Sequence, residues 1–430
     1  MAPKKSATAG AKAKPAGAGA TPPKADAKKV DAAKKSARSP APAPREEPFG
    51  TATPTILLLG AYGTVGSAIA RTVLAQSSTA KLIIAGRDSD KARYCTKALN
   101  AEYPSATGGE RCSMVVADAS DSSTLNGCPR FDVIVNATTM RAVEGVITLM
   151  RFAASKRAHY IDLRSVIGLE EAIAKAVGDV GPVVLMGGGY CPGAVAPLLK
   201  TAATKLATCT AAHLSIAATA LPSQAEEAVE AMMSGVRLED WRNGKWQPAK
   251  PSQPTFARKV DFGDGKARHT TPVGVQEVRE LPTQLALDQC SVRFASTQDG
   301  GLMCAAMAVL CCAPCVGLRE GVAKHLRAAM ERQRGKEPRL CACICEATGV
   351  DKEGKARRVV LRASHPEGPA AMAAHCCVAQ LAQILTNAIS GGAPPRMCGA
   401  TVDADMMLSA LIKQGVHASI ETTDVASYDA

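Results

Sequence analysis

The chain has 430 residues, 47% of them hydrophobic, which suffices for two or three domains with substantial cores. Its formal net charge is +12, but residues 1–50 alone hold nine Lys and two Arg against two Asp and two Glu. The other 380 residues carry only +5, so the basicity belongs to the tail and the remainder is a poor nucleic-acid binder.

Residues 1–52 are built of Ala, Lys, Pro, Gly and Ser with almost no large apolar side chain. Such a segment cannot bury enough surface to offset its ordering entropy and is expected to be disordered. It has no apolar core of a secretory signal, and it is too Lys-rich and proline-broken for a mitochondrial leader. Lys28-Lys29 and Lys34-Lys35 suit a nuclear address or an anionic surface, but a solvated extension is the simpler reading.

Ile56–Leu59 then runs straight into Gly60-Ala61-Tyr62-Gly63-Thr64-Val65-Gly66. A short apolar strand (Thr55–Leu59), a G-x-x-G-x-x-G turn and a helix (Thr64–Gln76) with Val65, Ile69, Val73 and Leu74 on one face follow in order. That is how a backbone approaches a pyrophosphate. Gly60 allows the turn, Gly63 removes a Cβ from the approach, and Gly66 seats the helix on the strand. Helix-end amides and the helix dipole face the anion. Tyr62, Thr64 and Val65 belong to the same loop.

A second strand, Lys81–Ala85, ends in Gly86-Arg87-Asp88. NAD-preferring sites place a carboxylate here for the ribose 2′-hydroxyl. Arg87 instead offers a planar fork for a 2′-phosphate, with Lys91 adding charge, so the residues favour NADP over NAD. Asp88 is either a ribose ligand or the cap of the helix beginning near Ser89, and capping is the better reading.

Strands at Cys112–Ala117 and Phe131–Asn136 come next. Asp118 is expected near the adenine, and Asn136, Ala137 and Thr138 beside the nicotinamide ribose. After helix Val143–Ala154, strands His159–Leu163 and Pro182–Met186 lead into Gly187-Gly188-Gly189-Tyr190-Cys191-Pro192-Gly193. This second glycine-rich passage is either close to the nicotinamide or substrate, or a hinge. His159 and Tyr190 are the candidate acid–base residues. From Thr208 the pattern becomes α+β: a strand over Thr210–Leu221, a helix over Glu226–Ser234, an Asn243-Gly244 hairpin, further strands, a second hairpin at Asp351–Gly354, and helices Met372–Ile389 and Met406–Gln414.

Sixteen cysteines without a secretory signal point to a reducing compartment, taken as the cytoplasm. Cys311-Cys312-Ala313-Pro314-Cys315 contains a C-x-x-C, and Cys341, Cys343 and Cys345 alternate as on one face of a strand. No paired knuckle spacing is present, so packing is preferred to zinc and no metal is assigned. Gly300–Leu318 has the length of a membrane span but consists mostly of Ala, Cys, Gly and Met, with Pro314 inside, which favours a buried helix over an anchor.

GAYGTVG, AGRD (Ala85–Asp88), DVIVNAT (Asp132–Thr138), HYIDL (His159–Leu163), GGYCPG (Gly188–Gly193) and VDFGDG (Val260–Gly265) occur in the order that resembles the saccharopine dehydrogenase-like family. The resemblance implies an NADP(H)-dependent oxidoreductase acting on a small-molecule substrate, with an amino-acid or imine adduct favoured. It also implies a homodimer, and an α/β fold in which a doubly wound parallel Rossmann sheet carries an inserted α+β domain with an antiparallel sheet. The expected division is a cofactor domain at 53–207, a substrate and dimer domain at 208–398, and a segment at 399–430 packing back on the first. A non-catalytic NADP-binding scaffold and a membrane-associated lipid enoyl reductase are the alternatives. Arg237, Arg242, Arg258 and Arg268 are candidates for a substrate carboxylate.

Overall fold

Thr55–Leu59 (β1) is an interior strand of a parallel seven-stranded sheet, and Ile56, Leu57, Leu58 and Leu59 are all buried, as a strand covered on both faces requires. The computed structural model describes residues 47–425 except 51–52, 106–107, 140–141, 165–168, 219–237, 251, 254–255, 297–320, 322–323, 326–327 and 329–338. The tail up to Glu46, helix Glu226–Ser234, Arg237, Gly300–Leu318 and the Cys311–Cys315 pair therefore lie outside the described residues.

The elements of the first sheet are β1, helix Thr64–Gln76 (α1), Lys81–Gly86 (β2), helix Ser89–Glu102 (α2), Cys112–Val116 (β3), Val133–Asn136 (β4), helix Val143–Ser155 (α3), His159–Asp162 (β5), helix Glu170–Val177 (α4) and Val184–Met186 (β6). Leu59 of β1, Asn136 of β4, Asp162 of β5 and Met186 of β6 stand in one row at the carboxyl ends. Strand order β6-β5-β4-β1-β2-β3 reverses direction of growth between β4 and β1, which places a crevice beyond that row. Alternate residues of β1 serve opposite cores. Ile56 and Leu58 pack with Ile69 and Val73 of α1, and Leu57 and Leu59 with Leu149 and Met150 of α3.

Helix Val195–Ala203 (α5) leads to a second sheet of Thr208–Ala218 (β7), Glu239–Arg242 (β8), Lys245–Pro248 (β9), Arg258–Asp261 (β10), Ala267–Pro272 (β11), Gln289–Ser296 (β12), Cys341–Val350 (β13) and Ala356–Ser364 (β14). It is mixed rather than purely antiparallel, since β12 pairs with β7 in parallel. Both expected hairpins form. Asn243 (φ 51°) and Gly244 (φ 71°) turn β8 into β9, the two positive angles that an Asn-Gly turn supplies. At the other, Asp351 Oδ1 accepts from the amides of Glu353 and Lys355. Cys341, Cys343 and Cys345 are free and buried on the inner face with Leu214, Ile216 and Leu361. Among the described residues no cluster of three or more His, Cys, Asp or Glu is placed to hold a metal ion, and no helix is long and apolar enough to cross a membrane.

The chain then departs from the expected division. Helix Pro369–Leu385 (α6) is apolar nearly all round and joins both cores: Met372, Cys376 and Ala379 face the second sheet, while Ala374, Cys377, Val378 and Leu381 pack beside α1. Arg396–Met397 (β15) extends the first sheet beside β6, helix Ala404–Lys413 (α7) packs on α5 and α6, and His417–Asp424 (β16) pairs with β14. The last strand therefore belongs to the second sheet, not to the first domain, and the described residues form one compact unit.

Candidate functional site

The first glycine loop is held by its own backbone. Gly60 has φ 77°, donates its amide to Ala85 O at 3.1 Å, and would put a Cβ 2.8 Å from Ala137 O. Gly66 is closed just as tightly, because its Cβ would lie 2.2 Å from Gly60 O. Gly63 is different: its Cβ would meet only Gly60 O, at 3.2 Å, and Gly63 and Thr64 are exposed. Gly63 is the N-cap of α1 and no side chain caps the helix, whose first turn also holds no acidic residue. The Gly63 amide is taken by Gly60 O at 2.9 Å, so the open face presents the Thr64 and Val65 amides and a positive helix end with no side-chain cap among the described residues, which fits a diphosphate.

At the end of β2, Arg87 is exposed and forms no ion pair among the described residues. Asp88 caps α2, with Oδ1 accepting from the amides of Asp90 (3.1 Å) and Lys91 (3.0 Å) and Oδ2 3.1 Å from Lys91 Nζ. These contacts, the Lys91 amide first, hold its carboxyl below the usual range. Asp88 is thereby a cap, and Lys91 already neutralises it. Asp118 Oδ1 takes the amide and hydroxyl of Ser120 at 2.9 and 2.7 Å, which lowers its pKa, with a smaller push from Arg87. Tyr62 lies over Gly86 and accepts the Asp88 amide at 3.3 Å.

Asn136 is buried and spends its whole amide on the protein. Oδ1 accepts from the Thr138 amide and hydroxyl, while Nδ2 donates to Asp162 Oδ2 at 2.9 Å and Tyr160 Oη at 3.2 Å. Tyr160 Oη donates to the same carboxylate oxygen at 2.7 Å. Burial raises both the Asp162 and the Tyr160 pKa, and the hydrogen bonds to Asp162 oppose the first. Asn136 therefore braces the row of strand ends and orients Ala137 and Thr138, the residues that border Gly60.

The two acid–base candidates are not brought to this crevice. His159 is the first residue of β5, in register with Val133, and its Nδ1 accepts the Val183 amide at 3.0 Å. It stands three residues, about 10 Å, from the carboxyl-end row, and burial lowers its pKa. The order His-Tyr-Ile-Asp within the strand was the signal that it opens the strand rather than closes it. Tyr190 is buried in the core against the second sheet, beside the Cys341 and Cys343 thiols. Burial pushes its pKa well up, so it is poorly suited to titrate there.

The whole second glycine passage is similarly turned inward. A Cβ at Gly188 would lie 2.1 Å from Ile161 Cγ2, and one at Gly193 (φ 133°) 2.2 Å from Gly189 O. Beneath it sits Glu277, which no sequence motif singles out. Its Oε2 accepts the Gly193 amide at 2.9 Å, the amides of Val195 and Ala196 also hold it, and Oε1 has no partner among the described residues. Burial pushes its pKa up to about 8. Gly399 must lack a side chain here, since its Cβ would fall 1.6 Å from Glu277 Oε2.

Residues 56–182 match the family described as the saccharopine dehydrogenase NADP binding domain. No curated protein sequence matches the chain. Among solved structures, apo saccharopine dehydrogenase (L-Glu forming) from Saccharomyces cerevisiae is similar over 86% of this chain and 100% of its own, with 13% identity and a TM-score of 0.61. That likeness shows a shared fold. A myo-inositol dehydrogenase from Corynebacterium glutamicum is more distant, with 10% identity and a TM-score of 0.42 over 87% of this chain and 99% of its own. Residues 56–182 are therefore similar to the NADP-binding domain of saccharopine dehydrogenase, within a chain that shares the fold of the yeast enzyme.

Proposed function

We propose that this protein transfers hydride between NADP(H) and a small molecule, with an amino-acid or imine adduct as the favoured substrate class. The observation that carries this reading is the open Gly63 face of an uncapped α1, with an unpaired arginine fork at the end of the neighbouring strand. When bound, the nicotinamide supplies the hydride chemistry. The amides of Thr64 and Val65 hold the diphosphate, and Arg87 takes the 2′-phosphate. Ala137 and Thr138, fixed by Asn136, border the nicotinamide side.

No acid–base residue is assigned, because His159 and Tyr190 are engaged elsewhere. Of the arginines considered for a substrate carboxylate, Arg258 pairs with Glu346 at 2.9 Å and Arg268 with Asp264 at 2.6 Å. Arg242 donates to Gln253 at 3.2 Å, beside a surface depression lined by Asn243, Asp288 and Gln289. The amino-acid preference thus rests on the family resemblance, as do a homodimeric state and a cytoplasmic location. The test is NADPH oxidation with a panel of 2-oxo acids, each paired with amines and amino acids. Turnover with one pair supports the reading. Tight NADPH binding with no turnover on any pair sinks this substrate class and favours a non-catalytic NADP-binding role.

A further inference from the structure

We propose that Tyr62 is a positioning residue that sets the preference for NADPH over NADH, by clamping the turn that carries Arg87. The proposal rests on the reading that Arg87 holds the 2′-phosphate.

Tyr62 engages the backbone on both sides of Arg87. On one side, a Cβ at Gly86 would lie 2.4 Å from Tyr62 Cε1, 2.6 Å from Oη and 2.7 Å from Cζ, so the ring lies directly on the last residue of β2. Only a glycine leaves room for it. On the other side, Tyr62 Oη accepts the Asp88 amide at 3.3 Å. Gly86 is itself anchored, since its carbonyl accepts the Ala117 amide of the next strand at 3.1 Å. Arg87 sits between two restrained peptide units with its guanidinium exposed.

The same clamp disposes of the competing carboxylate. Asp88 would be the group to accept a ribose 2′-hydroxyl, but with its amide turned toward Tyr62 its side chain caps α2 and pairs with Lys91. A hydroxyl that accepts one hydrogen bond keeps its own proton for donation, and no acceptor among the described residues takes the Tyr62 proton. Tyr62 Oη is therefore a second donor beside Arg87 for a phosphomonoester. It has nothing to offer a free 2′-hydroxyl that water does not. An unclamped turn would spread Arg87 over many rotamers, and ordering them again on binding would weaken affinity.

The test measures dissociation constants for NADPH, NADH, 2′,5′-ADP and 5′-AMP on the full chain, by calorimetry. Tyr62→Phe keeps the ring on Gly86 and removes only the hydroxyl. It is expected to weaken NADPH and 2′,5′-ADP about fivefold, the size of one modest hydrogen bond, and to leave NADH and 5′-AMP unchanged. In an Arg87→Ala background the same substitution is expected to have a markedly smaller effect, because the two residues act on one phosphate. If Tyr62→Phe weakens all four ligands equally, or leaves the NADPH to NADH ratio unchanged while Arg87→Ala lowers it, the proposal is overturned and the Arg87 assignment survives. If Arg87→Ala itself leaves NADPH binding unchanged, the underlying reading fails and takes the proposal with it.

Discussion

Two glycine-rich turns of this protein look alike in composition and do opposite things. Gly60–Gly66 uses two of its glycines for self-packing and leaves Gly63 open to solvent at the head of an uncapped helix. Gly187–Gly193 uses its glycines against itself. Gly187 abuts Pro192, Gly188 abuts Ile161, and Gly193 abuts the carbonyls of Gly189 and Gly187. Even the head of its helix, α5, is occupied from within, by the carboxyl of Glu277. Missing side chains make room for a ligand in one turn and for the protein's own chain in the other. The helix N-terminus follows suit: it carries no side-chain cap where an anion is proposed to bind and is filled by a carboxyl in the other turn.

Substitutions should separate the two turns. Gly193→Ala adds a Cβ 2.2 Å from a carbonyl oxygen at φ 133° and should cost at least about 3 kcal/mol, read as a fall in urea midpoint. Glu277→Gln probes the filled helix end. Burial holds the Glu277 pKa at about 8 in the folded chain against an ordinary 4.5, so its stabilising contribution is fully present below pH 4.5 and is lost as pH rises through about 8. Each unit of that gap corresponds to about 1.4 kcal/mol. Unfolding free energy of the parent should therefore fall between these limits, and the Gln variant should show a flatter profile. A parent profile that rises across this window would contradict the burial of Glu277. Gly63→Ala reverses the pattern of Gly193→Ala. Its φ of −75° suits alanine, so stability should change by no more than about 1 kcal/mol while NADPH binding weakens tenfold or more, about 1.4 kcal/mol. If Gly63→Ala destabilises as much as Gly193→Ala, the contrast between the turns is wrong. Arg87→Ala should be the mildest for the fold, with no change in melting temperature and a roughly tenfold loss of NADPH but not NADH affinity.

Much of this was legible in the residues. Strand, glycine turn and helix around Gly60–Gly66 form where their pattern puts them, as do the Asn243-Gly244 hairpin and the alternating cysteines of β13. Capping by Asp88 was readable because Asn or Asp before a helix competes for its first amides. Other features were not. Strand β16 is largely exposed and lacks an apolar alternation, and it forms because β14 offers an edge. Helix α6 shows an apolar surface nearly all round, which says that it is buried but not between which layers. Asn136 reads as a ligand by position and serves as a brace because Asp162 and Tyr160, on the adjacent strand, take its amide.

Residue order along the chain already specified the backbone demands: where φ must be positive, where a helix begins, which strands are covered on both faces. Those demands are local, set by sterics and by hydrogen bonds a few residues apart. Which glycine faces a ligand and which faces the protein was decided by segments far away in sequence. Glu277 meets Gly193 across 84 residues, and Gly399 closes on both. Burial is a property of the assembled packing, and it is burial that left one glycine turn open, as the proposed cofactor cradle needs, and made the other part of a core.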